Sequence, residues 1–552
     1  MADGNNRGSG LHKLRLVFSL IFLGLLVSGL LGACGGPAPS PPVARDPQTI
    51  TIGTVLKPRT LDPADSYELA GLMVVYNLGE TLYSYKLGTT ELEPRLATAL
   101  PSLSPDGLTY KIPLRQGVQF HDGTPFNAEA MAFSLRRFVE NGGEPSFLLA
   151  DTLEKVTVTG PWELTLTLKK PFAAFPALLA FPGACAVSPQ KYALGEGKFL
   201  PTEFVGTGPY QLVSFSSDAL RLKPFEGYWG EKPKNQGIDL QLYPGNPANL
   251  FNAFRTKAVD VAYQSLVAQQ IKTLQTEAQQ GRGRVIEGTG SVINYLALNT
   301  QQEAVRSPLV RQAIAALIDR PLLIERVLQG LGEPLYSLIP TSFSSYRPVF
   351  QERYGPFNPT QAKQLLRQAG FSESRPLRLE IWHSANSIPA SMVAAILRAI
   401  AKRDSEGLLE FQPRSIAAAA YFKNVGKGLY ESSLSNWYPD FLDADNYIYP
   451  FLSCAQGSVQ SGCIEGGAQS QGSFYYDPDL LQLIDQQRQE LDPQRRNQLL
   501  EAIQIKLAEA VPYIPLWQVK DFAFAQNNVQ GVIINPSQTF PFWTIAKTNA
   551  PS

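Results

Sequence analysis

The residues best suited to chemistry lie in one short run, Asn436-Trp437-Tyr438-Pro439-Asp440-Phe441-Leu442-Asp443-Ala444-Asp445-Asn446-Tyr447. Three carboxylates, one Trp and two Tyr surround a Pro directly after a predicted strand. Carboxylates beside aromatic faces suit a partner that carries a cation and apolar bulk. The ends of strands in α/β domains are also where ligands collect. Asp443 and Asp445 read equally well as N-capping residues of an acidic turn before a helix. Paired acids also serve glycosidases, but the separation of these carboxylates in space is not set by their spacing in the chain.

Covalent and cofactor chemistry finds little support elsewhere. The chain has neither GxxxxGK[ST] nor GxGxxG, because Gly206-Thr207-Gly208 and Gly288-Thr289-Gly290 both lack the third glycine. It has no G-x-S-x-G elbow. Ser188-Pro189-Gln190-Lys191 matches the S-x-x-K of penicillin-binding enzymes, but the companion S-D-N and K-T-G motifs are missing. Of three histidines, His12 lies in the N-terminal leader. His121 and His383 stand far apart, with no HExxH pair and no Cys/His cluster. No zinc site, calcium loop or cofactor is therefore expected. His121, in Phe120-His121-Asp122-Gly123-Thr124, reads as a turn residue.

The elements that must position the acidic run follow from periodicity and caps. A strand over 429–434 delivers it, and a strand over 377–382 lies upstream, among helices. Residues 309–329 carry helical periodicity broken by Pro321. Asn358-Pro359 and Asp492-Pro493 each open a helix, and Gly370 closes the first. Earlier, 49–52 and 108–114 read as strands, 155–168 as a hairpin about Gly160-Pro161, and 128–140 as a helix capped by Asn127. This alternation predicts α/β layers.

At 552 residues the chain is too long for one core. Hydrophobic residues at 44% and charged ones at 17% fit a globular body. Lys+Arg and Asp+Glu both number 48, a balance that argues against a nucleic-acid partner. At the N-terminus, Arg7, Lys13 and Arg15 precede an uncharged apolar stretch over 16–33, the pattern of an export signal. Its 18 residues also approach the length of a membrane span. Its end, Leu31-Gly32-Ala33-Cys34, resembles a bacterial lipobox, with Cys34 as the lipid attachment site. The Pro/Gly-rich segment 35–47 reads as an extended tether. Cys454 and Cys463, nine positions apart in a Gly/Ser/Gln-rich loop, are candidates for a disulfide in an exported protein. Cys185, in an apolar run, is expected as a buried free thiol.

Six stretches, in order, carry a family resemblance. They are Glu80-Thr81-Leu82-Tyr83 with Glu93-Pro94-Arg95-Leu96-Ala97; Ser104-Pro105-Asp106-Gly107-Leu108-Thr109-Tyr110; and Leu114-Arg115-Gln116-Gly117-Val118 running on to Phe126. Val205-Gly206-Thr207-Gly208-Pro209-Tyr210, Val310-Arg311-Gln312-Ala313-Ile314 with Ile318-Asp319-Arg320, and Pro512-Tyr513-Ile514-Pro515-Leu516 complete them. Together they resemble the peptide/nickel class of extracellular solute-binding proteins, which includes the oligopeptide- and dipeptide-binding receptors of ABC importers. The resemblance implies an α/β, two-lobed type II periplasmic-binding-protein fold with a third domain added to the N-terminal lobe. Residues 1–33 would be the signal peptide and 34–47 the tether. Segments 48–81, 201–288 and 511–552 would form the first domain, 82–200 the second, and 289–510 the C-terminal lobe. Ligand closure between lobes is implied, with no catalysis and no cofactor.

In peptide receptors of this class a Trp-x-x-Asp segment supplies the Asp that pairs with the ligand's α-ammonium. Trp437-Tyr438-Pro439-Asp440 is similar, which assigns that role to Asp440 and a pocket wall to Trp437, with Tyr438 and Asp443 beside them. Leu61-Asp62-Pro63 resembles a cleft-lining segment. Arg378 and Arg414 are candidates for a ligand carboxylate. The expected partners are a peptide or other small solute, the permease subunits of an ABC importer and, through Cys34, a membrane outside the cytoplasm; the protein is expected to be a monomer. A receptor of the same fold for a metal chelate or other small solute, an exported hydrolase and a structural or chaperone-like envelope protein are the alternatives.

Overall fold

The computed structural model describes residues 46–264 and 266–548. The expected signal peptide, Cys34 and all but the end of the tether lie outside the described residues. The folded body runs from Gln48 onward.

Its centre is one mixed sheet of eleven strands. From one edge the order is Tyr210–Phe215, Ala219–Pro224, Ile238–Leu242, Ile50–Thr54, Val261–Tyr263 and Tyr513–Ala525. Arg284–Leu298, Ser432–Trp437, Leu377–Ser384 and Leu409–Ile416 continue it to the other edge, and Gly332–Pro334 pairs with Tyr513–Ala525 off this path. Ile50–Thr54 is buried along its whole length and runs parallel to both neighbours, as a strand covered on two faces must be apolar throughout. Leu377–Ser384 pairs in parallel with both Leu409–Ile416 and Ser432–Trp437, and helices Ile388–Asp404 and Ala418–Gly426 make the return connections.

Two long antiparallel strands join the halves. Arg284–Leu298 pairs with Tyr513–Ala525 from Arg284 opposite Ala525 to Ala297 opposite Tyr513. At one end Ala523–Ala525 also pair with Val261–Tyr263; at the other, Ile293–Leu298 also pair with Ser432–Trp437. The register slips between Thr289 and Ile293, where Gly290, Ser291 and Val292 stand opposite Val519 alone. Glycine is required at position 290, since a Cβ there would lie 2.2 Å from the Val519 carbonyl oxygen.

A second sheet of four strands has the order Ser102–Leu103, Thr109–Pro113, Glu163–Leu168, Leu153–Gly160. It contains the predicted hairpin, with Val156 opposite Leu166 and Val158 opposite Leu164. Leu164, Leu166 and Leu168 point alternately inward to the core that helix Ala128–Glu140 covers. Asn127 caps that helix by accepting from the Ala130 N–H at 2.9 Å. The helix is tied to Leu61-Asp62-Pro63 by a fully buried bidentate pair, Arg137 to Asp62 at 2.9 and 2.6 Å. Asp62 is thus committed inside the fold and does not line a cleft.

One element differs from expectation. The strand read as 429–434 is Ser432–Trp437, because the Ala418–Gly426 helix ends in a turn whose Gly428 adopts φ 69°. The helical stretch 309–329 is divided in two as Pro321 predicts, into Pro308–Leu317 and Arg320–Val327, with Pro321 in the first turn of the second. Asp319 caps that turn by accepting from the Leu322 N–H at 3.0 Å. Cys454 and Cys463 are joined with an S–S distance of 2.15 Å beside the hairpin Gln456–Ser458 and Gly462–Glu465. Cys185 is buried and unpaired, and burial pushes its thiol pKa well up. Among the described residues no helix is long and apolar enough to cross a membrane.

Candidate ligand-binding site

Strand Ser432–Trp437 delivers the acidic run to the junction of the two lobes. The chain leaves the sheet at Trp437, and Asn446 then folds back to hold it. The Asp440 N–H donates to Asn446 Oδ1 at 2.9 Å, and Trp437 Nε1 donates to the same oxygen at 3.3 Å. Asn446 Nδ2 in turn donates to Asp440 Oδ2 at 3.4 Å. The hydroxyl of Tyr67, just before helix Leu69–Leu78 in the other lobe, donates to Asp440 Oδ1. Among the described residues these neutral groups are the only side-chain partners of Asp440. Burial raises its pKa above the usual carboxylate range, and the two hydrogen bonds offset this only in part. Burial and the charge of Asp440 likewise push the Tyr67 hydroxyl up.

Two cavities lie back to back here. The smaller, about 30 Å³, is lined by Asp440, Pro439, Tyr76, Tyr85, Ser537 and Thr539, and is large enough only for water. The larger, about 400 Å³, falls in the size range of small-molecule sites. Its walls come from both halves of the sheet and include Leu56, Leu69, Val292, Tyr438, Asp521 and Gln538. Residues 438–440 and 537–539 form the partition. Tyr438 and Gln538 face the larger space; Asp440, Ser537 and Thr539 face the smaller. Gln538 takes φ 60°, a left-handed backbone that non-glycine residues adopt at a cost.

Other contacts hold the lobes together around these cavities. The Leu442 N–H donates to the Tyr85 hydroxyl at 2.9 Å, and Phe441 sets its ring against Phe172 at 6.2 Å. The Ala173 N–H donates to the Arg488 carbonyl at 2.6 Å. The Arg488 guanidinium lies over Phe172 at 4.4 Å and over Tyr449 at 3.7 Å.

The residues singled out from sequence separate into two groups. Tyr438 is 57% exposed and lines the larger cavity. Trp437 is half-buried and rests on Phe451 at 5.4 Å, so its ring belongs to the C-terminal lobe. Asp443, expected beside a ligand, is instead saturated: Arg496 grips both its oxygens at 2.8 and 2.5 Å. It also caps Ala444–Tyr447 by accepting from the Asp445 N–H. Burial alone would raise its pKa, but the charge and hydrogen bonds of Arg496 prevail and hold it low. Arg378 and Arg414 sit at the outer edge of the sheet in exposed pairs with Glu410 and Glu380, at 3.4 and 3.0 Å, and line neither cavity. Ser188 donates to Asp122 at 2.6 Å while Lys191 pairs with Glu203, which takes both away from any nucleophilic role. His121 is packed between the Gly208 carbonyl and Phe225, and burial lowers its pKa to about 4. Among the described residues no three His, Cys, Asp or Glu side chains gather into a metal-binding group.

Tyr67, Gln538 and Asp521 were not visible as site residues from sequence. Asp521 carried a signal, as a lone acid in the apolar strand Tyr513–Ala525. Burial raises its carboxyl pKa to about 6. A carboxyl raised in the fold holds its proton more tightly than in the unfolded chain, so its contribution to stability is full in acid and is lost as pH rises through about 6. Asp521→Asn removes that loss. In denaturant titrations of the unliganded protein, the variant should gain on the order of 2 kcal/mol over wild type between about pH 4.5 and about pH 7.5. A difference that does not change with pH would contradict the assignment.

A sequence model of the bacterial extracellular solute-binding proteins, family 5 (middle region), matches residues 91–459. The glutathione-binding protein GsiB of Shigella flexneri is 26% identical over 500 residues, covering 88% of this chain and 91% of that protein. Among solved structures, HbpA2 from Haemophilus parasuis superposes with a TM-score of 0.80 at 22% identity, over 91% of this chain and all of that one. The unliganded open form of the periplasmic murein tripeptide-binding protein MppA superposes with a TM-score of 0.77 at 21% identity, over 93% of this chain and all of that one. These neighbours share the type II periplasmic-binding-protein fold. The match over most of the chain establishes that the protein belongs to the family 5 bacterial extracellular solute-binding proteins, substrate receptors of ABC importers rather than enzymes.

Proposed function

We propose that this receptor captures a peptide or peptide-like molecule with a free α-ammonium, that Asp440 receives that ammonium, and that the permease of an ABC importer takes up the ligand unchanged. The carrying observation is the state of Asp440. Its carboxylate stands at the lobe junction with, among the described residues, only Tyr67 and Asn446 as side-chain partners, in surroundings that already disfavour its charge. A cation that replaces the Tyr67 hydroxyl gains a charge-assisted hydrogen bond of roughly 1.5–3 kcal/mol. Tyr438 supplies apolar surface on the other side of the partition. Glutathione, the ligand named for the relative above, is itself a peptide with such an ammonium. The cysteine at position 34 is the proposed lipid anchor, with residues 35–47 as its tether and the body facing outward as a monomer.

Calorimetry on a short peptide tests the site. Asp440→Asn should weaken binding at least about tenfold, some 1.4 kcal/mol, and leave the unliganded melting temperature nearly unchanged. N-acetylating the peptide should cost wild type a similar amount and the variant far less, because the partner charge is already gone. Equal losses from acetylation in both proteins would place the ammonium elsewhere. For the anchor, Cys34→Ser should move the protein to the soluble fraction or leave it unprocessed; normal processing to a membrane-held form would exclude the lipid.

A further inference from the structure

The larger cavity holds one carboxylate that the contacts described above do not use. Asp521 lies on the joining strand Tyr513–Ala525, opposite Gly288, beside the slip in register where the chain passes between lobes. Its Oδ2 is shut off from solvent and meets no hydrogen-bond donor among the described residues. The neighbouring cation does not serve it, because Lys520 directs its ammonium to Glu287 at 2.5 Å and Glu333 at 3.8 Å. Among the described residues Asp521 has no ion-pair partner, and the ionisable groups that sense its charge are two tyrosines, Tyr263 and Tyr438.

The rest of the cavity wall is largely apolar and includes Leu56, Leu266, Ile271, Val292 and Phe522. Two glutamines that line it, Gln264 and Gln538, hold left-handed backbones at φ 53° and 60°. A buried acid without a donor is costly, and an orphaned group of this kind calls for a partner that the folded chain does not supply. The missing partner has to reach Oδ2 through apolar surroundings and arrive with N–H donors and positive charge. An ammonium or guanidinium at the end of an apolar stem meets both demands.

We propose that Asp521 is a second charge-reading subsite of the cleft, and that it selects ligands with a basic side group on an apolar stem, such as a peptide containing lysine. The placement of the rest of that ligand rests on the peptide reading above, with its α-ammonium at Asp440 across the partition formed by residues 438–440 and 537–539. Asp440 reads a group common to all peptides, while Asp521 discriminates among them.

The test uses two probe sets on the full-length protein and on Asp521→Asn, which preserves size and removes only the charge. In calorimetry, tripeptides with lysine at each position in turn are compared with norleucine isosteres. Wild type should prefer one lysine peptide by at least about tenfold. Asp521→Asn should erase that preference while keeping the penalty for N-acetylation, which reports Asp440 alone. In thermal shift without peptide, agmatine and hexylamine should raise the wild-type melting temperature more than that of the variant. The subsite stands on an Asp521-dependent cation preference in either probe set, and it is overturned if both sets treat the two proteins alike. Peptide binding with no such dependence would remove the subsite and leave the peptide reading intact. Amine shifts that depend on Asp521, without peptide binding, would do the reverse.

Discussion

The pairing of Arg284–Leu298 with Tyr513–Ala525 is the constraint on which the rest of the structure depends. These two strands carry one sheet through both lobes, so neither lobe closes its core without them. Backbone groups in a sheet interior must stay paired, which confines bending to places where pairing is already broken. The slip between Thr289 and Ile293 is such a place, with Gly290 packed against the Val519 carbonyl. That slip lies beside the larger cavity, and Asp521, opposite Gly288, stands next to it. The larger cavity and the register slip share the same two strands.

Closure of the lobes is secured by a few specific contacts. Phe441 and Leu442 leave the C-terminal lobe and join the apolar core of the N-terminal one, beside Phe172 and the Tyr85 hydroxyl. The acids nearby fall into two kinds. Asp62 and Asp443 are each gripped at both oxygens by an arginine, which makes them structural: removing either partner would strand a buried charge at a cost of several kcal/mol. Among the described residues Asp440 has neutral partners, and Asp521 has an oxygen with none. Of these four acids, the two that line the paired cavities at the lobe junction are the two without an arginine partner among the described residues.

Much of the fold was legible in the sequence because its signals are local. The Asn127, Asn358 and Asp492 caps mark helix starts, and the alternation of Val156, Val158, Leu164, Leu166 and Leu168 marks the hairpin, all within a few residues of chain. Boundaries moved where a turn used residues that periodicity had assigned to a strand, as at Gly428. The site was legible only in part. Asp440 and Tyr438 stood out by type and by the Trp-x-x-Asp pattern, which does not show that Asp440 and Asp443 have partners of different charge. Their difference is set by Arg496, 53 positions away, and by Tyr67, 373 positions away. Asp521 was hidden for the same reason: its isolation depends on which way Lys520 turns and on the walls that other segments bring to the cavity.

The central claim is that uncompensated acids at the junction of the lobes hold a cationic, peptide-like ligand without altering it. The most direct measurement is native mass spectrometry of the protein purified from its own cells, followed by release and fragmentation of whatever is bound. The expected result is one small molecule per chain, intact on release, with a free amino group and peptide fragmentation. A stoichiometric ligand that carries no amine, or a bound molecule recovered only as its cleavage products, would contradict the account.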